Sequence, residues 1–184
     1  YLDMMVRSIR NMDGFIKDLT QFSRNSRMEI VKEAIHFDEL IDKIDTSLRY
    51  EDNSTSIRVE RTINQNVQFY SDSNRVETII GNLLSNAYKY YRFDCNNPYI
   101  NIKIDVSDIK AVIVIQDNGV GIAEEYQGKI FEMFFRASEK SQGSGLGLYI
   151  VKSAVEKLDG IITLQSTFGT EAIFTVEIPN LLTR

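Results

Sequence analysis

The chain has 184 residues, of which 43% are hydrophobic and 26% are charged, enough for one main hydrophobic core with an appendage. Its net charge of -5 argues against a protein that binds the nucleic-acid backbone, because such binding needs a basic face. The only cysteine, Cys95, cannot form an intrachain disulfide, and the only histidine, His36, leaves no Cys/His cluster for zinc. We therefore expect a reducing, cytoplasmic setting.

Membrane contact by this chain is not expected, because no run of about eighteen apolar residues appears. The chain begins at Tyr1 rather than at Met, so we expect a fragment of a longer parent protein, with room there for membrane spans or sensor domains.

Residues 1–24 predict a long helix with one apolar stripe. The stripe has a 4-3-4-3 spacing and consists of Met5, Ile9, Met12, Ile16 and Leu19. Phe15 and Phe22 widen it. Such a helix needs a partner helix to cover its apolar face, as in a bundle or coiled coil. The polar stretch that follows places a domain boundary near residue 30, giving segments 1–30 and 31–184.

The second segment mixes helices and strands without regular βαβ alternation. Helices are predicted over Phe37–Leu48, from about Ser73 to Tyr91, and from near Gly145 to Asp159, with Gly160 as a left-handed C-cap. Strands are predicted in IRVERTI and VQFYS as a hairpin, over 100–106, in AVIVI as a strand buried on both faces, and in IITLQS and AIFTVEI. This order favours an α+β fold, a two-layer sandwich of a sheet packed on helices.

The segment NLLSNAYKYY carries the first candidate site. Asn82, Asn86 and Lys89 are spaced i, i+4, i+7 and share one helix face. Two carboxamides and a lysine supply oxygen ligands and a cation, which suit a hydrated Mg²⁺ and phosphate oxygens. An ordinary solvated helix face is the alternative.

Two glycine-containing segments follow. In DNGVGI, Asp117 ends a strand, and its carboxylate suits the exocyclic amine of adenine, while Gly119 and Gly121 allow a ligand to approach the backbone. A simple turn is the alternative. In QGSGLGLYIV, Gly143 and Gly145 precede a helix whose first amides can bind phosphate, although the pattern is neither a P-loop nor a Rossmann fingerprint.

Taken in order, these segments resemble the histidine-kinase branch of the GHKL superfamily, with its Bergerat-type ATP-binding fold. NLLSNAYKYY resembles the N box, DNGVGI the G1 box, FEMFFRAS the F box and GSGLGLYIV the G2 box, and Gly169-Thr170 resembles the last glycine motif. Residues 1–24 are similar to the second helix of the dimerisation and phosphotransfer domain, whereas the first helix of that domain, with the phosphoacceptor histidine, is not expected in this chain. His36 is instead interpreted as a polar residue near the start of a helix.

The resemblance implies a role for each matching residue. Asn86 would bind Mg²⁺ beside Asn82, Lys89 would contact phosphate, and Tyr90 would pack at adenine. Asp117 would read the adenine amine. Residues Arg136 to Gln142 would form a mobile lid on a base of Phe131, Phe134 and Phe135, which could equally be core. The remaining implied ATP contacts are Gly119, Gly121, Ile122, Arg136, Gly143, Ser144, Gly145, Leu146, Gly147, Leu148 and Thr170.

The function implied is transfer of the γ-phosphoryl group of ATP, with Mg²⁺, to a histidine outside this chain and then to an aspartate of a response regulator. The parent protein would be a homodimer through its N-terminal helices, and this chain alone would bind ATP without autophosphorylating. A nucleotide-binding dimerising scaffold and a GHKL-type serine kinase or ATPase clamp are the alternatives.

Overall fold

The computed structural model describes residues 5, 9, 12, 14–16, 18–20, 22–23, 27–52, 57–137 and 144–183. The described residues between 5 and 23 are helical, as predicted. Every residue of the apolar stripe is exposed in the single chain, and the least exposed, Leu19, is still 45% accessible to solvent. Within the described ranges, no helix is both long enough and apolar enough to span a membrane.

Among the described residues, seven strands and four helices follow the N-terminal helical residues. The strands are β1 (Glu33–Ile35), β2 (Arg58–Asn64), β3 (Phe69–Ser71), β4 (Tyr99–Val106), β5 (Lys110–Asp117), β6 (Ile161–Thr167) and β7 (Glu171–Pro179). The helices are α1 (Phe37–Asp52), α2 (Ser73–Lys89), α3 (Glu124–Gln127) and α4 (Gly147–Lys157), and a 3-10 turn covers Leu181–Thr183.

The main sheet has five strands in the order β2-β4-β5-β7-β6. Only β2 and β4 run parallel, and the other pairs are antiparallel. Alternate residues of β4, β5 and β7 are buried with the apolar sides of α1, α2 and α4 in one core. The predicted two-layer α+β sandwich is confirmed.

The predicted hairpin between IRVERTI and VQFYS is wrong. Strand β2 pairs with β4, whereas β3 pairs with β1 in a separate two-stranded sheet. The residues between β2 and β3 bind the segment before α1, because Gln65 Nε2 donates to Ile35 O at 2.7 Å and Phe37 N donates to Gln65 Oε1 at 3.0 Å. Alternating hydrophobicity identified both strands but carries no information about their partners.

Two local predictions also need correction. The strand AVIVI is buried on one face only: Ile113 is fully buried, while Val112 and Val114 are half-exposed on the other face. At the end of α4, Asp159 and not Gly160 takes the left-handed conformation, with φ 56°. Gly160 is required for a different reason, since a Cβ there would lie 2.4 Å from the carbonyl oxygen of Glu177 on β7.

Candidate nucleotide-binding site

Helix α2 presents the predicted carboxamides on the side away from the core. Asn82 and Asn86 are half-buried and Lys89 is exposed. The opposite side is buried through Val76, Ile79, Ile80, Leu83, Leu84, Ala87 and Tyr88. Asn82 Nδ2 donates to Thr78 O at 2.8 Å, and its Oδ1 lies 3.1 Å from the position of a Cβ on Gly147, so α4 begins directly beside Asn82. In the described part of the chain nothing hydrogen-bonds the Asn86 side chain, which leaves its oxygen available.

Asp117 is buried at the end of β5, where only 7% of it is exposed. Burial raises its pKa to about 6, the charge of Glu171 adds to the rise, and the hydrogen bond from Gly119 N, at 2.9 Å, opposes it. The end of α2 lies against this loop, because Val120 N donates to Tyr90 O at 2.9 Å. A Cβ on Gly119 would lie 2.3 Å from the same carbonyl oxygen, so only glycine fits there.

The rest of the loop lies on the turn between β6 and β7. Gly121 has φ 61°, and a Cβ there would lie 2.2 Å from Thr167 O. Ile122 packs partly against the core. Thr170 is exposed in the turn, and its backbone N donates to Thr167 O at 3.0 Å. The structure therefore brings Gly121, Ile122 and Thr170 to one end of the sheet.

The glycine-rich segment leads into α4. Gly143 lies outside the described residues. Gly145 has φ 74°, and Leu146, fully buried, occupies the N-cap position. Ser144 Oγ accepts from Leu146 N at 3.1 Å, and Leu148 packs against the core from the first turn of the helix. The helix begins beside Asn82, and backbone amides at a helix start can bind an anion.

The predicted base of the lid divides into core and surface residues. Phe131 and Phe135 pack against the core, whereas Phe134 is 51% exposed and has φ 64°. A Cβ on Gly145 would lie 2.9 Å from the carbonyl carbon of Phe134, so these two residues, on either side of the predicted lid, are in contact. Arg136, the first residue of the predicted lid, is exposed, and residues 138–142 of that lid lie outside the described residues.

The N-terminal helical residues contact this region, although the sequence pattern was not interpreted as predicting such a contact. The ring of Phe15 stacks on Phe134 with centroids 6.1 Å apart, and Phe22 contacts Tyr149 with centroids 5.4 Å apart. The hydroxyl of Ser144 donates to the carboxylate of Asp18. Phe15, Asp18 and Phe22 are spaced i, i+3, i+7 and therefore share a helix face beside the exposed stripe. This spacing could have predicted that a second face of the helix contacts another part of the chain.

Helix α2 links the parts of the candidate site, because its end lies against the loop after the buried Asp117 and its carboxamide face lies beside the start of α4. Among the described residues, no group of three or more His, Cys, Asp or Glu side chains could hold a metal ion. A buried carboxylate such as that of Asp117 can accept a hydrogen bond from a ligand, and a helix start such as that of α4 can bind an anion.

Comparison with known proteins assigns the class. The chain belongs to the histidine kinase-, DNA gyrase B- and HSP90-like ATPase family, which it matches over residues 71–181, more than half of its length. It is 30% identical over 176 residues to cyanobacterial phytochrome B of Nostoc sp., covering 92% of this chain and 23% of that protein. It is 25% identical over 187 residues to the sensor protein SrrB of Staphylococcus aureus, covering 97% of this chain and 31% of that protein.

Solved structures agree on the fold. The chain is similar to the Acinetobacter baumannii histidine kinase AdeS, with a TM-score of 0.77 at 21% identity, over 98% of this chain and 84% of that chain. It is also similar to the catalytic domain of the histidine kinase ThkA, with a TM-score of 0.68 at 25% identity, over 83% of this chain and 99% of that chain. The chain thus contains an ATP-binding catalytic domain of the sensor histidine kinase type. It spans about a quarter of the length of the curated relatives it matches.

Proposed function

We propose that the chain catalyses transfer of the γ-phosphoryl group of ATP to a histidine of the whole protein, as part of a two-component sensor histidine kinase. The observation that carries the proposal is the buried carboxylate of Asp117 at the end of β5, beside two backbone positions where only glycine fits. A carboxylate in this setting accepts hydrogen bonds only. It therefore favours the amine of adenine and disfavours the carbonyl that guanine carries at the same position.

The phosphates are proposed to lie between α2 and the start of α4. The backbone amides of Gly145, Gly147 and Leu148 would donate to phosphate oxygens, helped by the dipole of the 11-residue helix α4. Lys89, exposed at the last turn of α2, would add a positive charge. Phosphoryl transfer depends chiefly on such alignment and charge neutralisation, with little covalent chemistry for the protein to perform.

A magnesium ion fits the site through one protein ligand. Mg²⁺ keeps several waters and is commonly bound by one or two protein oxygens together with substrate phosphates. The half-buried Asn86 side chain, which no other described residue hydrogen-bonds, supplies one such oxygen, with Asn82 one turn away on the same face. When bound, the ion would neutralise charge on the β- and γ-phosphates.

Partners of the whole protein follow from the same proposal. The exposed stripe from Met5 to Leu19 would pair with the same helix of a second copy, as apolar helix faces do in bundles. The phosphohistidine would pass its phosphoryl group to an aspartate in the receiver domain of a response regulator. We further propose a cytoplasmic location, where ATP is available, and no role for nucleic acid.

Calorimetric titration of the chain with MgATP tests the proposal. The parent chain is expected to bind MgATP with micromolar affinity and GTP much more weakly, and Asp117→Asn is expected to lose ATP binding. The matched control is Asp108→Asn, which makes the same change in the exposed turn between β4 and β5. A parent chain that binds no ATP would contradict the proposal and favour a purely dimerising scaffold.

A second measurement concerns the acceptor. His36 is exposed just before α1, where its carbonyl oxygen accepts from Leu40 N at 3.1 Å. We expect no label on this residue after incubation of the chain with radiolabelled ATP. Label that disappears in His36→Gln would assign the acceptor role to His36 and contradict transfer to a histidine elsewhere.

A further inference from the structure

The loop that follows Asp117 is fastened to the two strands β6 and β7. Val120 O accepts from Gly169 N at 2.7 Å, and Ile122 N donates to Ser166 Oγ at 2.8 Å. The close approach of Gly121 to Thr167 lies between these two hydrogen bonds. The path of the loop is therefore set by side chains and backbone that lie more than forty residues away in the sequence.

Ser166 connects the loop to β7 through a single hydroxyl. Its Oγ accepts from Ile122 N and donates to Glu171 O at 2.6 Å. A hydroxyl can accept and donate at once, whereas an apolar side chain at this position could do neither. Removal of the hydroxyl would leave the amide of Ile122 and the carbonyl of Glu171 without these partners.

Gln127 binds the other backbone group of the same loop residue. Its Nε2 donates to Ile122 O at 2.9 Å and to Ser166 O at 3.0 Å. Because both neighbours are carbonyl oxygens, the side-chain atom between them must be the amide nitrogen. The backbone N–H and C=O of Ile122 are thus held by one side chain each, Ser166 from β6 and Gln127 from α3.

We propose that Ser166 and Gln127 are positioning residues for adenine recognition, which they fix by holding Ile122 and thereby the loop that begins at Asp117. The inference rests on the proposed function, since it concerns the base pocket of that same site. Recognition by a single carboxylate is directional, and a loop free to shift would lose the alignment between Asp117 and the base amine. These two residues act through the loop and are not themselves expected to touch the base.

The expected effect is a loss of discrimination as well as a loss of affinity. Inosine triphosphate carries a carbonyl where ATP carries the amine, so the parent chain is expected to prefer ATP over ITP. Ser166→Ala is expected to weaken ATP binding and to reduce the ratio of the ITP and ATP dissociation constants, each by about tenfold, on the scale of one or two lost hydrogen bonds. A purely structural role would change the melting temperature and leave this ratio unchanged.

Calorimetric titration of the full chain with MgATP and MgITP tests the inference, with four variants. Ser166→Ala and Gln127→Leu are expected to lower the ratio of the ITP and ATP dissociation constants. Ser166→Thr, which keeps the hydroxyl, is expected to have the same ratio as the parent chain. Thr163→Ala removes an exposed hydroxyl from the same strand and is expected to leave the ratio unchanged.

The outcomes separate the two proposals. A parent chain that binds no ATP would overturn the proposed function, and this inference with it. If the parent chain prefers ATP, and Gln127→Leu and Ser166→Ala both keep the parent's ratio of ITP to ATP dissociation constants, only the positioning role is overturned. Should Ser166→Ala fail to fold, Gln127→Leu and Ser166→Thr decide the question by the same ratio.

Discussion

The buried ion pair at the start of α2 allows one stability prediction to be developed quantitatively. Asp72 and Arg75 are 3% and 4% exposed, and their side chains form an ion pair of 2.5 Å. Both also bind the backbone of the segment that leads out of the N-terminal helical residues. Arg75 Nη2 donates to Met28 O at 2.6 Å, and Asp72 Oδ2 accepts from Val31 N at 3.0 Å.

Arg75→Met removes the cation and leaves the carboxylate of Asp72 buried without it. Loss of one partner of a buried ion pair costs about 3–5 kcal/mol, because the remaining charge is uncompensated. For a protein of this size that cost lowers the melting temperature by roughly 6–20 °C. Asp72→Asn removes the negative charge but keeps the side-chain oxygen that caps α2 by accepting from Arg75 N at 2.9 Å. This variant therefore measures the effect of the charge without loss of the cap.

Urea unfolding followed by circular dichroism measures the free energy of unfolding of both single variants and of the double variant. The double variant is expected to lose less stability than the sum of the two single variants, because it leaves no unpaired buried charge. The matched control is Lys43→Met, which removes a 2.8 Å ion pair with Glu77 on an exposed surface and should cost less than about 1 kcal/mol. An Arg75→Met variant within about 1 kcal/mol of the parent would refute the reasoning.

Three further predictions follow from particular residues. Burial raises the pKa of the Asp117 carboxyl to about 6, so on lowering the pH the folded state binds a proton there at a higher pH than the unfolded state does. Protonation therefore stabilises the folded state fully below about pH 4, and this stabilisation is lost as the pH rises through about 6. The parent should therefore lose on the order of 2–3 kcal/mol of unfolding free energy relative to Asp117→Asn between pH 4 and pH 7. If urea unfolding shows the same difference between the two proteins at both pH values, the raised pKa of Asp117 is contradicted. Gly121→Ala, with a Cβ 2.2 Å from Thr167 O and φ 61°, should weaken ATP binding at least tenfold in calorimetry, whereas unchanged affinity would show that the loop can move. The proposed pairing through the exposed stripe predicts a dimeric mass for the parent chain by light scattering and a monomeric mass for Ile9→Glu, whereas a dimeric mass for both would exclude this face as the interface.

The periodicity of the sequence was sufficient for the class of fold. The alternation in β4 and the apolar side of α2, from Val76 to Ala87, appear in the structure as predicted. The pairing of β3 with β1 could not be predicted, because it joins segments thirty or more residues apart, as does the hydrogen bond from Gln65 to Ile35 O that accompanies it. Periodicity reports which face of an element is buried, whereas the choice of a strand's partner depends on contacts between distant parts of the chain.

The residues of the candidate site likewise fall into those that the sequence could predict and those that it could not. Asn82 and Asp117 could be predicted because their segments, taken in order, resemble the motifs of one family, although each segment alone is also compatible with a solvated helix face or a simple turn. Ser166 and Gln127 gave no such signal, because a serine in a strand and a glutamine in a short helix are ordinary residues until the carbonyl and amide of Ile122 are found beside them. Residues that bind a ligand can carry a motif, whereas residues that hold the binding loop are visible only in three dimensions.

Helix α2 holds both the N-terminal connecting segment and the nucleotide loop. Asp72 and Arg75 bind that segment at its first turn, and Tyr90, just after its last turn, accepts the hydrogen bond from Val120. The 17 residues between these ends form a rigid rod of about 25 Å. Since the contacts at the two ends are separate, loss of the ion pair should release residues 28–31 to hydrogen exchange while the bonds around Asp117 persist. Arg75→Met should consequently retain ATP affinity. Faster hydrogen exchange in residues 28–31 together with unchanged ATP affinity would indicate local release of this segment, whereas faster exchange together with lost ATP affinity would indicate that the whole domain is destabilised.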